Sequence, residues 1–246
     1  MANNRGAGWK ITNLAAESVN QILMVIEFSS LNLQNAFNKG VTTFNNTSNN
    51  GSSITGATST LGSTSGMATT TTRTNNGNTE TNTVEGKCSI SYRGFENPYG
   101  NMWRFVGGVK IVNNNSISSL IYTDIQGNEH TYVSNLPTTS NWISKFGYDV
   151  NMNWALIPTE CSAAANSAVP VGDFMYVDNN TNGNKCCVIG GKQSSGEYAG
   201  PFHYATDYAY NTSAYSYSAR LMYIPTANTP TYIANLNKWS TEVGGE

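Results

Sequence analysis

At 246 residues, with a formal net charge of −2 and only 11% charged residues, the chain is long enough to bury a sizeable core. It carries too little positive charge to bind nucleic acid by neutralising phosphates. No apolar run approaches the roughly 18 residues that a bilayer span requires, so membrane insertion is not expected.

Residues Met1-Ala2-Asn3-Asn4-Arg5-Gly6 lack the apolar stretch and small-residue cleavage site of a secretory signal. Work outside a cell is therefore expected to follow lysis or carriage on a particle. Residues 14–37 carry the convincing helical pattern: Leu14, Ala15, Val19, Ile22, Leu23 and Ile26 recur at three- and four-residue spacing. That spacing predicts one shared apolar face, with Asn13 as N-cap and Glu17 in the first turn. The run Ile22-Leu23-Met24-Val25-Ile26 is expected in the core. From residue 45 to 83, 32 of 39 positions are Asn, Ser, Thr or Gly, too polar to build a core alone. This insertion is expected to be an ordered, irregular excursion anchored by Ile54, Leu61 and Met67.

Beyond Val84, short apolar or alternating runs are separated by Gly, Asn and Pro: residues 103–112, 119–122, 130–133, 174–177, 188–189 and 220–224. They predict short antiparallel strands in a loop-rich α+β domain. Pro225 to Glu246 shows no clear pattern, and one domain over residues 1–246 is the simpler organisation. Trp103, Trp142 and Trp154 read as core, and His130 as a solvated loop histidine. Cys88, Cys161, Cys186 and Cys187 have no CxxC spacing and no nearby histidine. They read as buried free thiols, with a disulfide or metal site as the alternative. No cofactor is expected.

Between Lys192 and Ser218 lie six of the fourteen tyrosines, interleaved with Ser, Ala, Thr and Asn. That is paratope chemistry: tyrosine offers broad amphipathic contact at small entropic cost, and small polar residues adapt. The sixteen residues His203–Ser218 contain no Leu, Ile, Val, Met or Phe, so little there is expected to serve a core. All sixteen are of types that an Asn codon reaches through its two adenines. The expected ligand-binding residues are Ser194, Ser195, Glu197, Tyr198, His203, Ala205, Asp207, Tyr208, Tyr210, Asn211, Thr212, Tyr215 and Tyr217. Strand alternation would turn Tyr204 and Thr206 inward if His203, Ala205 and Asp207 face out. A catalytic His203–Asp207 pair lacks a nucleophile elbow.

Tyr92-Arg93-Gly94-Phe95-Glu96-Asn97-Pro98-Tyr99-Gly100-Asn101-Met102-Trp103-Arg104-Phe105-Val106 resembles the Gly-Asn-Val-Trp-Glu-Trp signature of the formylglycine-generating-enzyme family. Gly190-Gly191 followed by Ala219-Arg220-Leu221 is similar to that family's closing element. Val25-Ile26-Glu27-Phe28 with Asn32 and Gln34 resembles the helix of its phage and prophage members. The resemblance implies a C-type-lectin-like fold of the formylglycine-generating-enzyme type. It also points to the variable proteins of diversity-generating retroelements, in which the stretch at 190–221 is rewritten by adenine-specific mutagenesis. Gly190, Gly191, Gly196, Ala199, Gly200, Phe202, Ala219, Arg220 and Leu221 would then be fixed scaffold.

The family's enzymes oxidise a cysteine with a cysteine pair near the closing element, and this chain has none after Cys187. It also lacks the Glu-Pro-Asn and Trp-Asn-Asp motifs of calcium-dependent lectins. Glu96-Asn97-Pro98 is expected only to shape a turn. A non-enzymatic receptor-binding protein of a phage tail, or of a bacterial surface, is thus expected. Its partner would be a host-cell surface protein or glycan, with a homo-oligomer, a trimer at a tail tip, as a further expectation. The alternative is a structural particle protein whose tyrosine-rich stretch is a subunit interface.

Overall fold

The computed structural model describes residues 2–44, 50–75, 78–114, 117–124, 127–132, 135–164, 170–178 and 180–224. Helix α1 (Leu14–Phe28) starts where expected: the Asn13 side chain accepts the Ala16 N–H at 2.9 Å. The helix does not run to residue 37. Ser29 turns left-handed (φ 51°), and Asn32 then caps a single further turn, α2 (Leu33–Ala36).

The face of α1 that enters the protein is not its apolar stripe. Leu14, Glu17, Ser18, Gln21 and Met24 are buried, whereas Val19 is 56% and Ile26 68% exposed, and Leu23 is exposed as well. Within the run expected in the core, only Met24 is fully buried. The reason is electrostatic. Glu17 pairs with Arg104 at 3.1 Å with both side chains shut off from water, and Gln21 donates to Pro201 O at 2.7 Å. A buried charge must meet its partner, and that partner sits under the inner face of the helix.

β1 (Trp9–Ile11) precedes α1, and the Ser/Thr/Asn/Gly-rich segment supplies β2 (Asn50–Ser53), β3 (Gly66–Met67), β4 (Thr71–Asn75) and β5 (Asn78–Asn82). Next come β6 (Ile90–Tyr92), β7 (Phe95–Glu96), β8 (Trp103–Phe105), β9 (Val109–Asn114), β10 (Ile117–Thr123) and β11 (Glu129–Thr131). The remaining strands are β12 (Asn141–Phe146), β13 (Pro158–Ser162), β14 (Phe174–Met175), β15 (Gly183–Gly190), β16 (Gly200–Ala209), β17 (Tyr217–Ser218) and β18 (Leu221–Tyr223). The largest sheet has seven strands in the order β11-β10-β9-β15-β8-β17, with β16 along the other edge of β15. Three three-stranded sheets and the β1–β18 pair complete the described residues.

This architecture corrects the α+β expectation. Among the described residues strands make up 40% and helices 14%, with two α-helices among many small sheets. The N-terminal helix is present, but the fold is mostly β, and the C-type-lectin-like identity implied by the resemblance finds no support in it. A chain dominated by Asn, Ser, Thr and Gly gains little from helix formation and more from hairpins and turns. The expected strands at 103–112 and 188–189 lie on β8, β9 and β15, and the alternation expected at 203–207 lies on β16, whereas β12 and β13 were not expected. Residue 133 and the tail from 225 lie outside the described residues.

The polar segment is anchored differently from expectation. Ile54 is exposed and Leu61 half-buried, while Ser53, Thr58, Thr71 and Arg73 are buried. Only Met67 packs on the main core. Glu96 ties the segment down: Oε1 accepts the Gly56 N–H at 3.0 Å, and Oε2 accepts from Thr58 N and Oγ1 at 2.9 Å. Asn97, left-handed (φ 47°), makes the expected turn and accepts the Ile90 N–H at 3.2 Å. The core has two parts. A large one contains Leu14, Ile90, Ile111, Leu120, Ile143, Cys187, Phe202 and Tyr204; a smaller one centres on Trp103, Val188 and Ala205.

Candidate ligand-recognition surface

The surface is built outward from β15. Alternation sends Cys187 and Ile189 into the large core and Val188 into the smaller one. Gly190 and Gly191 then turn the chain with φ of +93° and +82°. At Gly191 a Cβ would lie 3.0 Å from Ala199 Cβ and 3.1 Å from both His203 Nδ1 and Ser195 Oγ, so the turn admits only glycine. Segment 192–199 is bound down by backbone hydrogen bonds from Gln193 N to Asn101 O (3.0 Å) and from Gly196 N to Thr42 O (2.8 Å). Gln34 Nε2 adds bonds to Gly196 O (3.0 Å) and Ala199 O.

β16 divides within itself. From Gly200 to Thr206 every residue is buried; Asp207 and Tyr208 are half-buried, and Ala209 is exposed. The expected alternation holds, since Phe202 and Tyr204 enter the large core. The opposite face, however, is covered. His203 packs edge-on against Trp103 at 4.5 Å and near Tyr176 at 5.6 Å, and Ala205 joins the smaller core. His203 and Ala205 are fully enclosed and cannot meet a ligand, which corrects both as binding residues. A sheet face covered by Trp103 and Tyr176 accepts small and aromatic side chains as readily as the aliphatic ones the sequence lacks there.

The other expected positions fall into three groups. Ser194 and Ser195 are half-buried, and Ser195 Oγ accepts the Lys192 N–H at 3.0 Å, a turn contact. Asp207, Tyr208, Thr212 and Tyr217 are half-buried, while Glu197, Tyr198 (39%), Tyr210 (54%), Asn211 and Tyr215 (51%) are exposed. Tyr208 and Tyr217 meet edge-on at 5.2 Å, and Tyr217 lies 5.4 Å from Phe105. Tyr198 stacks on Phe174 at 4.4 Å and meets Trp142 edge-on at 5.0 Å. Tyr198, Tyr208 and Tyr217 therefore belong to two half-exposed aromatic patches. His203 and Trp103 join them from below.

Trp142, Phe174, Tyr176 and Phe105 are members of these patches that sequence reasoning missed. Trp142 and Trp154 are half-buried, whereas Trp103 is buried as expected. The alternation of Phe174 and Tyr176 around Met175 was the available signal: Met175 is buried and both rings are partly outside. Burial raises the Asp207 carboxyl, and burial together with Tyr208 holds the Tyr217 hydroxyl far above its ordinary range. His203 carries no hydrogen bond on either ring nitrogen, so it is not coupled to Asp207.

Cys88, Cys186 and Cys187 are buried and Cys161 is partly buried, all as free thiols. His130 Nε2 lies 3.0 Å from Asp124 Oδ2. Among the described residues no helix is long and apolar enough to cross a membrane. No family model matches the chain, and no curated protein is significantly similar to it.

Proposed function

We propose that this chain is a non-enzymatic recognition protein, displayed on a phage tail or a bacterial surface as the variable protein of a diversity-generating retroelement. Its contact surface is the stretch from Asp207 to Tyr217 with the aromatic patch around Tyr198. Its partner is a host-cell surface protein or glycan. The observation that carries this reading is the division inside one segment. Gly190, Gly191, Ala199, Gly200 and Phe202 are buried, whereas Tyr210, Asn211 and Tyr215 are exposed. Side chains that bear no load in the core can be exchanged freely, and exposed tyrosines make strong contacts. Ala219 and Leu221 are exposed and fit the scaffold role less well than the other seven.

The test pairs Tyr210→Ser/Tyr215→Ser with Trp103→Ala in the full chain. The double variant should keep its stability within about 1 kcal/mol, while its binding to intact host cells should fall more than about tenfold. Trp103→Ala should cost about 3–5 kcal/mol in a thermal or denaturant melt. Undiminished cell binding by the double variant overturns the proposal. Loss of self-association instead of cell binding favours the subunit-interface alternative. In the coding DNA, the counterpart would be a near-identical template of codons 190–221 with adenine-only mismatches beside a reverse-transcriptase gene.

A further inference from the structure

A cleft of about 370 Å³ opens between β2, the turn 97–102 and residues 218–221, and none of the patch rings lines it. Its volume is at the small end of the range for small-molecule sites. Arg220 stands in its wall. Backbone pairing fixes that position, since Thr12 N donates to Arg220 O at 2.8 Å and the next residue, Leu221, pairs with Ile11 on β1. The guanidinium lies over the Phe95 ring, 4.2 Å from its centroid, and Nη2 donates to Glu96 O.

Among the described residues, no carboxylate forms an ion pair with Arg220. Glu96 lines the same cleft, but both its oxygens are taken by Gly56 and Thr58. Arg104, also in the lining, is matched by Glu17 and by the carbonyls of Asn97 and Pro98. Arg220 is thus a half-buried cation that, among the described residues, commits one of its five N–H donors. Its own charge is disfavoured: burial and the Arg104 charge lower its pKa to about 10, an effect that the Glu17 and Glu96 carboxylates offset only in part. An anion entering the cleft would relieve that cost, and a planar guanidinium held on a ring suits the fork of a carboxylate.

The rest of the wall is hydroxyl and amide. Ser52 and Thr55 line it, and so does Asn101, whose Oδ1 accepts the Ser53 N–H at 2.8 Å, which leaves Nδ2 as a donor. We propose that this cleft binds a small acidic sugar, with the carboxylate on Arg220 and Asn101 Nδ2 and the sugar hydroxyls on the Ser52 and Thr55 side. The site is separate from the tyrosine surface: Tyr217 pairs with Trp103, and the next residue, Ser218, points to the other side of the strand.

The experiment titrates the full chain with glucuronate, glucose and inorganic phosphate, by calorimetry or ligand-observed NMR. Glucuronate should bind with a Kd of about 1 mM, and glucose at least about tenfold more weakly. Arg220→Lys keeps the charge but loses the fork, and should weaken glucuronate about tenfold or more. Asn101→Asp keeps the acceptor for Ser53 N–H and the left-handed backbone (φ 63°), but sets a negative charge against the ligand. It should abolish binding without lowering the melting temperature, so a folding defect at Arg220 cannot mimic the result. Equal affinity for glucose, binding of phosphate alone, or no glucuronate binding at about 10 mM each overturn the proposal. Tyr210→Ser/Tyr215→Ser should bind glucuronate normally, whatever happens to cell binding.

Discussion

His203 shows how much one enclosed side chain can dictate. With no hydrogen bond to either nitrogen and no exposure to water, burial pushes its pKa down to about 3 from an ordinary value near 6.5. The unfolded chain therefore takes up a proton below about pH 6.5 that the folded protein refuses until about pH 3. Stability from this group is complete above pH 6.5 and is lost as the pH falls toward 3. At pH 4 the loss is about 3 kcal/mol relative to pH 7. Asp173 works in the opposite sense: burial raises its carboxyl well above the ordinary value, so its contribution is present in acid and is lost as the pH rises through the folded pKa. His203→Phe keeps a ring against Trp103 and removes the titration. Denaturant melts from pH 7 to 4 should show a flatter acid limb for the variant; an unchanged limb would mean that His203 is hydrated. The burial of His203 was not legible from the segment, because a histidine among tyrosines and serines looks like surface until Trp103 is laid across it.

At the scale of elements, α1 separates what periodicity can tell from what it cannot. The spacing of Ala15, Val19, Ile22 and Ile26 located a helix and its cap, and Asn13 performs that role. Periodicity measures only that two faces differ. Which face is buried depended on Arg104, 87 residues away, whose charge needed Glu17. Glu17→Ala should cost about 3–5 kcal/mol, since it strands a buried guanidinium. Val19→Ser and Ile26→Ser should each stay within about 0.5 kcal/mol. Equilibrium unfolding of the three variants checks the ordering, and a larger loss at Val19 than at Glu17 would reverse the orientation described. β16 teaches the same lesson for strands. Its alternation was readable, but a period of two does not say whether the second face meets water or another layer.

Over the whole molecule, stability rests on packing and hydrogen bonds, with few ion pairs and no covalent staples among the four cysteines. All four are free, and burial pushes the Cys161 thiol up to about 11. Reductant should therefore leave the melting temperature unchanged, and alkylation of the native protein near neutral pH should be slow at every thiol; a drop in melting temperature with reductant would reveal a bond between chains. Low charge, the helix and its cap, the strand runs and the concentration of tyrosines in one segment were all set by the sequence itself, because composition, spacing and turn chemistry act locally. The tertiary structure alone decided the mostly-β balance, the inward face of α1, the enclosure of His203 and Ala205, and the cleft around Arg220. Each depends on a partner distant in the chain: Arg104 for Glu17, Trp103 for His203, and Phe95 and β1 for Arg220. A local pattern shows what a residue can do, but burial and charge pairing are settled only when those partners arrive.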